Sequence, residues 1–200
     1  PLWSRGLGDV YKRQLFGECE QVTKTDDLIK SGFLSKFRIK VLLCKHAPQH
    51  FETYHDEMEY LVEHKGRNNL IKNLVNDIEG NTLVLFNYVE KHGEPLYELI
   101  NNIIDHERKL FFVHGGTDVE DREEVRQITE TESNAIIVAS YGTFSTGINI
   151  KRLHNIVFAS PSKSRIRNLQ SIGRVLRKGE GKDIATLYDI ADDIGGQNYT

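Results

Sequence analysis

The chain has 200 residues, of which 38% are hydrophobic and 28% charged, with a net charge of −3. That is enough for one ordinary domain with a real core, or for one domain plus a fragment of a neighbour. No apolar run approaches the roughly 18 residues of a membrane helix, so a soluble, cytoplasmic setting is expected. Cys19 and Cys44 lie too far apart for a zinc knuckle or a disulfide framework. The charge is unevenly spread: residues 1–150 carry 17 Lys and Arg against 24 Asp and Glu, residues 151–182 carry 9 against 1, and residues 183–200 carry none against 4. A binder of polyanions along its whole length would be basic throughout, whereas a local concentration suits an anion met at one place, or else a solvated basic helix.

In chain order, residues 1–14 lack periodicity and resemble translated sequencing-adapter sequence, so they are set aside. No apolar signal-peptide core follows Arg5. Residues 15–50 read as a connector with a short helix at 26–32 and an alternating strand at 37–43. Helical spacing marks 55–63 and 68–78, where Leu70, Ile71, Leu74, Val75 and Ile78 recur, and Gly80-Asn81 ends the second helix. Strand and helix then alternate: strand 82–89, helix 95–104 with Pro95 in its first turn, strand 109–113, and a polar helix 119–130 with a capping box at Thr117 and Glu120. Strands at 135–139 and 155–159, a helix at 164–177 and a strand at 184–188 complete the series. Strands this apolar, separated by helices, imply an α/β domain with a parallel sheet covered on both faces.

The most informative segment is Gln170-Ser171-Ile172-Gly173-Arg174-Val175-Leu176-Arg177. On a helix, Leu169, Ile172 and Leu176 share a packing stripe while Gln170, Arg174 and Arg177 share the neighbouring one. Two guanidinium forks suit two-pronged contact with phosphate oxygens, which lysine does not reproduce. Gly173 costs the helix about 1 kcal/mol relative to alanine, a penalty that close approach of another backbone explains. A surface helix with two ordinary arginines is the alternative. In Ser140–Ile150 a strand empties into a segment rich in hydroxyls and glycine. There Ser140, Thr143, Ser145 and Thr146 can donate to phosphates, and Gly142 and Gly147 allow close approach. A capped turn explains the same residues.

The pattern Gln-x-x-Gly-Arg-x-x-Arg resembles motif VI of superfamily 2 helicases, and the resemblance covers roughly residues 15–193. Thr82–Val89 resembles motif IV, Phe111–Gly115 the segment after it, and Ser140–Ile150 motif V, while Leu15–Glu18 and Leu28–Gly32 resemble the tail of the first helicase lobe. The resemblance implies a second RecA-like lobe spanning 51–200 after a first-lobe remnant and connector at 15–50. It implies nucleic-acid contacts from Phe86, Asn87, His114, Gly115, Ser140, Tyr141, Thr143, Ser145 and Thr146. It further implies ATP contacts from Gln170, Gly147, Asn149, Arg174 and Arg177, the two arginines acting as catalytic fingers. Asn149 stands where many relatives carry an acidic residue. Residues 139–150, 169–178 and 186–193 are most similar to phage recombination helicases, which implies branched or recombining DNA as partner and roles in recombination and repair.

No G-x-x-x-x-G-K-[ST] loop and no Asp-Glu pair after an early strand occur in the chain. The triphosphate and magnesium would therefore be held mainly by the first lobe of the same polypeptide, and this chain alone is expected to be inactive. The rival readings are a helicase-like module that binds nucleic acid without using ATP, and a small-molecule nucleotide domain; the missing glycine fingerprint after residue 89 disfavours the latter. A metal site from Cys44, His46, His50 and His55 fits no strong ligand spacing. His114-Gly115-Gly116 reads as a turn, and Asp189, Asp192 and Asp193 as solvated carboxylates.

Overall fold

A computed structural model describes residues 25–146, 150–179 and 182–195. The adapter-like segment at 1–14 and the stretch Leu15–Glu18 lie outside the described residues. Residues 1–34 and 35–200 are separate compact units. Of the first, a helical turn α1 (Thr25–Lys30) is described, stopped where Gly32 takes a positive φ of 77° and Ser31 Oγ donates back to the Asp27 carbonyl.

The second unit holds six strands: β1 (Lys36–Lys45), β2 (Thr82–Phe86), β3 (Leu110–Val113), β4 (Ile136–Ser140), β5 (Asn155–Phe158) and β6 (Ile184–Asp193). All the pairings are parallel, and the order across the sheet is β1-β6-β5-β2-β4-β3. Its helices are α2 (Tyr54–Glu63), α3 (Lys65–Asp77), a π-helical turn at Val89–Gly93, α4 (Glu94–Asn101), α5 (Val119–Thr131), α6 (Tyr141–Thr146) and α7 (Arg165–Val175). The unbroken apolar strands are explained by burial on both sides. Val84, Phe86, Ile136, Val138, Val157 and Ala159 pack under Ile71 and Val75 of α3 and Leu96 and Ile100 of α4. Residues of opposite parity, such as Leu83, Ile137 and Phe158, are buried on the other face, where the Tyr141 ring of α6 lies 5.8 Å from that of Phe158.

Several expectations are corrected. The segment read as a connector supplies a full edge strand: β1 pairs with β6 from Lys36↔Ile184 to Lys45↔Asp193, which also carries β6 beyond residue 188. The compact unit that contains the sheet runs from Ser35. One side of β1 packs Leu42 and Cys44 on the core, while Ile39, Val41 and Leu43 face outward and exposed. Strand β2 ends at Phe86, because the Asn87 N–H turns away to the Ser160 hydroxyl. The capping box lies at Thr53 and Asp56 instead of Thr117 and Glu120, since the Thr117 hydroxyl accepts from the His114 N–H and is spent on the preceding turn. In the π-helical turn, a Cβ on Gly93 would come within 2.6 Å of the Phe86 ring, so only glycine lets the turn sit on β2.

At the amino ends of the strands, Asn81 is fully buried and fully used. Its Nδ2 donates to the Thr129 and Glu132 carbonyls at 2.9 and 2.8 Å, and its Oδ1 accepts from Ala135 N–H at 2.8 Å, fixing the passage from α5 into β4. Asn81→Leu strands all three backbone groups and is expected to destabilise the domain by about 2–4 kcal/mol. Urea unfolding of the variant checks this, and a change below about 1 kcal/mol contradicts it.

Candidate active site and nucleic-acid interface

An all-parallel sheet delivers every strand's carboxyl end to one edge, and the chain leaves β2 towards β3 but leaves β5 towards β6. The crevice between two strands whose connections part in this way is where such sheets bind ligands. Here it is bridged by hydrogen bonds: Asn87 N–H donates to Ser160 Oγ at 3.1 Å and Asn87 Nδ2 to the Pro161 carbonyl at 3.1 Å. Behind them, fully buried His92 links Ser160 Oγ (2.8 Å) to Asn68 Oδ1 (3.1 Å). Burial, and then the nearby Arg67 charge, push the His92 imidazole down to about 3, so it is neutral in the fold.

Beside the crevice, Ser140 Oγ accepts from Thr143 N–H at 3.3 Å and lies 2.8 Å from Thr143 Oγ1, capping α6. The capped-turn reading of this segment therefore describes its first part, and a helix replaces the expected loop. His114 begins a turn, accepting from Gly116 N–H through Nδ1 at 3.2 Å, with Gly115 exposed beside it. Two of the residues expected at nucleic acid have their rings buried in the core. Phe86 is fully buried and stacked on Phe112 at 5.6 Å, and Tyr141 is 1% exposed with its hydroxyl donating to the Ser160 carbonyl. The side chains of Ser145 and Thr146, and residues Gly147 and Asn149 altogether, lie outside the described residues.

Helix α7 buries Ser171 and Val175, with Leu176 just beyond its end, whereas Leu169 is 55% exposed. The buried side of the helix is thus shifted from the stripe read by spacing, onto Ser171 and Val175. On the outer side Gln170 and Arg177 are exposed and Arg174 is half-buried, its guanidinium 5.6 Å over the Phe144 ring. The helix stops at Val175, two residues before Arg177. Burial, followed by the positive charge of Arg177, holds Arg174 below the usual arginine range, so the two cations are within electrostatic reach of each other.

The carboxylates at the end of β6 are not uniformly solvated. Asp192 is buried against Arg67, whose Nε donates to both carboxylate oxygens at 2.9 and 3.0 Å and whose Nη1 reaches the Ala159 carbonyl at 2.5 Å. His46 Nε2 lies 2.8 Å from the same carboxylate. Cys44, His46 and Asp192 bring donor atoms within 4.8 Å of one another. Both Asp192 oxygens are turned to the guanidinium, so a metal ion there would sit beside a fixed positive charge. Arg67, His92 and Ser160 escaped the sequence reading; the available signal was a polar pair, Arg67-Asn68, on the inward side of α3, in phase with Ile71 and Val75.

Residues 66–179 match the family described as helicase conserved C-terminal domain. The chain belongs to that family. This helicase C-terminal domain is 36% identical over 190 residues to the ATP-dependent DNA helicase UvsW of Enterobacteria phage T4, covering 90% of the chain and 37% of that relative's length. The crystal structure of T4 UvsW superposes with a TM-score of 0.67 at 34% identity, over 84% of this chain and 35% of that one. The restriction-modification enzyme LlaBIII bound to DNA (TM-score 0.62, 19% identity, 94% of this chain and 14% of that one) shares the fold. So does domain 2 of the DEAD-box helicase Mss116p bound to an RNA duplex (TM-score 0.51, 14% identity, 79% and 55%). The helicase C-terminal domain is therefore a RecA-like lobe, and among the described residues no helix is long and apolar enough to cross a membrane.

The neutral His92 sets a pH dependence. Its folded pKa lies below its unfolded value, so between about pH 6.5 and 3 the unfolded chain binds the extra proton and stability falls as pH falls. His92 is expected to contribute on the order of 1 kcal/mol per pH unit in that window. Denaturation midpoints at about pH 7 and 5 for wild type and His92→Gln check this: the variant should show the smaller difference, and equal differences contradict it.

Proposed function

We propose that this domain is the second lobe of an ATP-dependent DNA helicase or translocase, acting on branched or recombining DNA. It supplies Arg174 and Arg177 as arginine fingers to a nucleotide held by a preceding lobe. The observation that carries the proposal is the end of α7, where Gln170, Arg174 and Arg177 follow one another along the chain with the two cations within electrostatic reach of each other, the first half-buried and the second exposed. Leu169 is also exposed, and among the described residues nothing lies within 4 Å of a Cβ built on Gly173. A helical glycine with open space above it among the described residues leaves room for a close neighbour.

In this reading a permanent guanidinium charge meets the charge that develops on the transferring phosphoryl group, an effect worth about 10³–10⁵ in rate. Gln170 joins the ATP contacts, as do Gly147 and Asn149 by their positions in the motif. Nucleic-acid backbone is met by Asn87, His114, Gly115, Ser140 and Thr143, with Ser145 and Thr146 beyond them, while Phe86 and Tyr141 support these contacts from the core. Magnesium belongs with the preceding lobe, since Asp192 is committed to Arg67. The substrate assignment rests on the likeness to UvsW, of whose length the chain spans 37%.

In the full-length protein, Arg174→Ala and Arg177→Ala are each expected to lower DNA-stimulated ATPase by about 10³-fold or more while the melting temperature stays close to wild type. Near-normal turnover in both variants would defeat the finger assignment. The 200-residue chain alone is expected to hydrolyse no ATP above background in a phosphate-release assay.

A further inference from the structure

The carbonyls at the end of a helix have no donor within the helix, and each must find one elsewhere. Beyond α7, the Leu176 carbonyl accepts from the Ser35 N–H at 2.9 Å. The carbonyls of Val175 and Arg177 on either side both accept from the Lys182 ammonium, the second at 2.9 Å. Its third proton faces the Lys151 carbonyl at 3.3 Å. Lys182 is 1% exposed, and its three donors meet three main-chain acceptors. Gly179 lies on the same neighbour: a Cβ there would come within 2.9 Å of the Lys151 oxygen. Lys151 follows the Ser140–Ile150 segment, so one buried cation ties the exit of that segment to the residue that carries the second finger.

We propose that Lys182 is a positioning residue for the arginine pair, its ammonium holding the Arg177 main chain and the exit of the 140–150 segment in one fixed relation at the nucleotide cleft. The proposal rests on the finger reading. A guanidinium is useful to a transition state only where its base is fixed, and a displacement of about 1 Å can cost about 100-fold in rate. The arrangement also gives a test that an ordinary stabilising cap would not pass. Burial pushes Lys182 down to about 8, although Glu130 on α5 favours the charged form. The other charged or titratable groups around it are His154 ahead of β5, Lys151 and Arg152 on the preceding turn, and Arg177 itself. A neutral amine has two protons for three acceptors, so the tripod loosens as pH rises through about 8. The folded pKa is below the unfolded one, so in that window the unfolded chain binds more protons and this group makes the fold more stable as pH rises. Activity and stability should therefore part company.

The experiment is DNA-stimulated ATPase of the full-length protein from about pH 7 to about 9.5, for wild type, Lys182→Met, Arg177→Ala and the double variant, with the melting temperature taken at each pH. In wild type, kcat is expected to fall above about pH 8 without a matching fall in melting temperature. Lys182→Met is expected to lower kcat about 10- to 100-fold near pH 7.5, to change KM for ATP less than about threefold, and to lack the alkaline limb. Adding Lys182→Met to Arg177→Ala should cost nothing further. Wild-type kcat in Lys182→Met, or an alkaline limb that survives the substitution, overturns the proposal. Should Lys182→Met fail to fold, the wild-type profile decides: kcat that stays flat to about pH 9.5, or that falls only together with the melting temperature, overturns it. An inactive Arg177→Ala with a fully active Lys182→Met removes the positioning role alone, whereas an active Arg177→Ala removes the finger reading and this proposal with it.

Discussion

A parallel sheet sends the carboxyl end of each strand to the same edge, and six chain segments leaving side by side must be held apart and held still. Hydrophobic packing does not do this at the rim, because it is non-directional. In this domain the work falls to buried polar groups that span neighbouring strands. Arg67 joins the ends of β5 and β6 through Ala159 and Asp192, and Ser160, backed by His92, joins β5 to the segment leaving β2. Such groups are costly when left half-satisfied and directional when satisfied, so they define positions that an apolar contact would leave loose. Asn87, His114, Ser140 and Thr143, expected at nucleic acid, lie at or just past the carboxyl ends of β2, β3 and β4.

The architecture was legible because burial on both faces makes strands such as Thr82–Phe86 almost wholly apolar, and crossover helices then space them regularly. The Gln170–Arg177 segment stood out because Gly173 runs against helix propensity beside two arginines, although α7 ends at Val175, before Arg177. What stayed hidden was set by partners distant in sequence. Lys36–Lys45 looked like a connector because its pairing partner lies far along the chain at Ile184–Asp193. Asp192 looked solvated because its partner Arg67 lies far off in sequence, on α3, and Lys182 was only one charge among those of the basic stretch 151–182. The inward side of α7 was misplaced by a fraction of a turn, since Leu169 is apolar yet Ser171 is the buried residue. Small side chains where a helix meets a sheet leave no hydrophobic mark.

The uneven charge of the chain gains a physical meaning once the fold is known. Its basic stretch, residues 151–182, is not a uniform patch. Lys182 is turned inward onto main-chain carbonyls, Arg152 reaches the Glu130 carbonyl, Arg174 lies half-buried over the Phe144 ring, and Arg177 is exposed. Part of the positive charge fastens the helix, and part is presented. A net charge summed over the chain conceals that division of labour.

The pairing of β1 with β6 also bears on how the protein is made. About 150 residues separate Lys36 from its partner Ile184, so during synthesis the first strand leaves the ribosome long before its neighbour exists. At roughly 5–20 residues per second the wait is on the order of ten seconds, during which the segment carrying Ile39, Val41 and Leu43 lacks its native strand partner. Newly made chains would then be most vulnerable to sticking together through this border of the sheet, and most in need of chaperone cover, just before the last strand arrives.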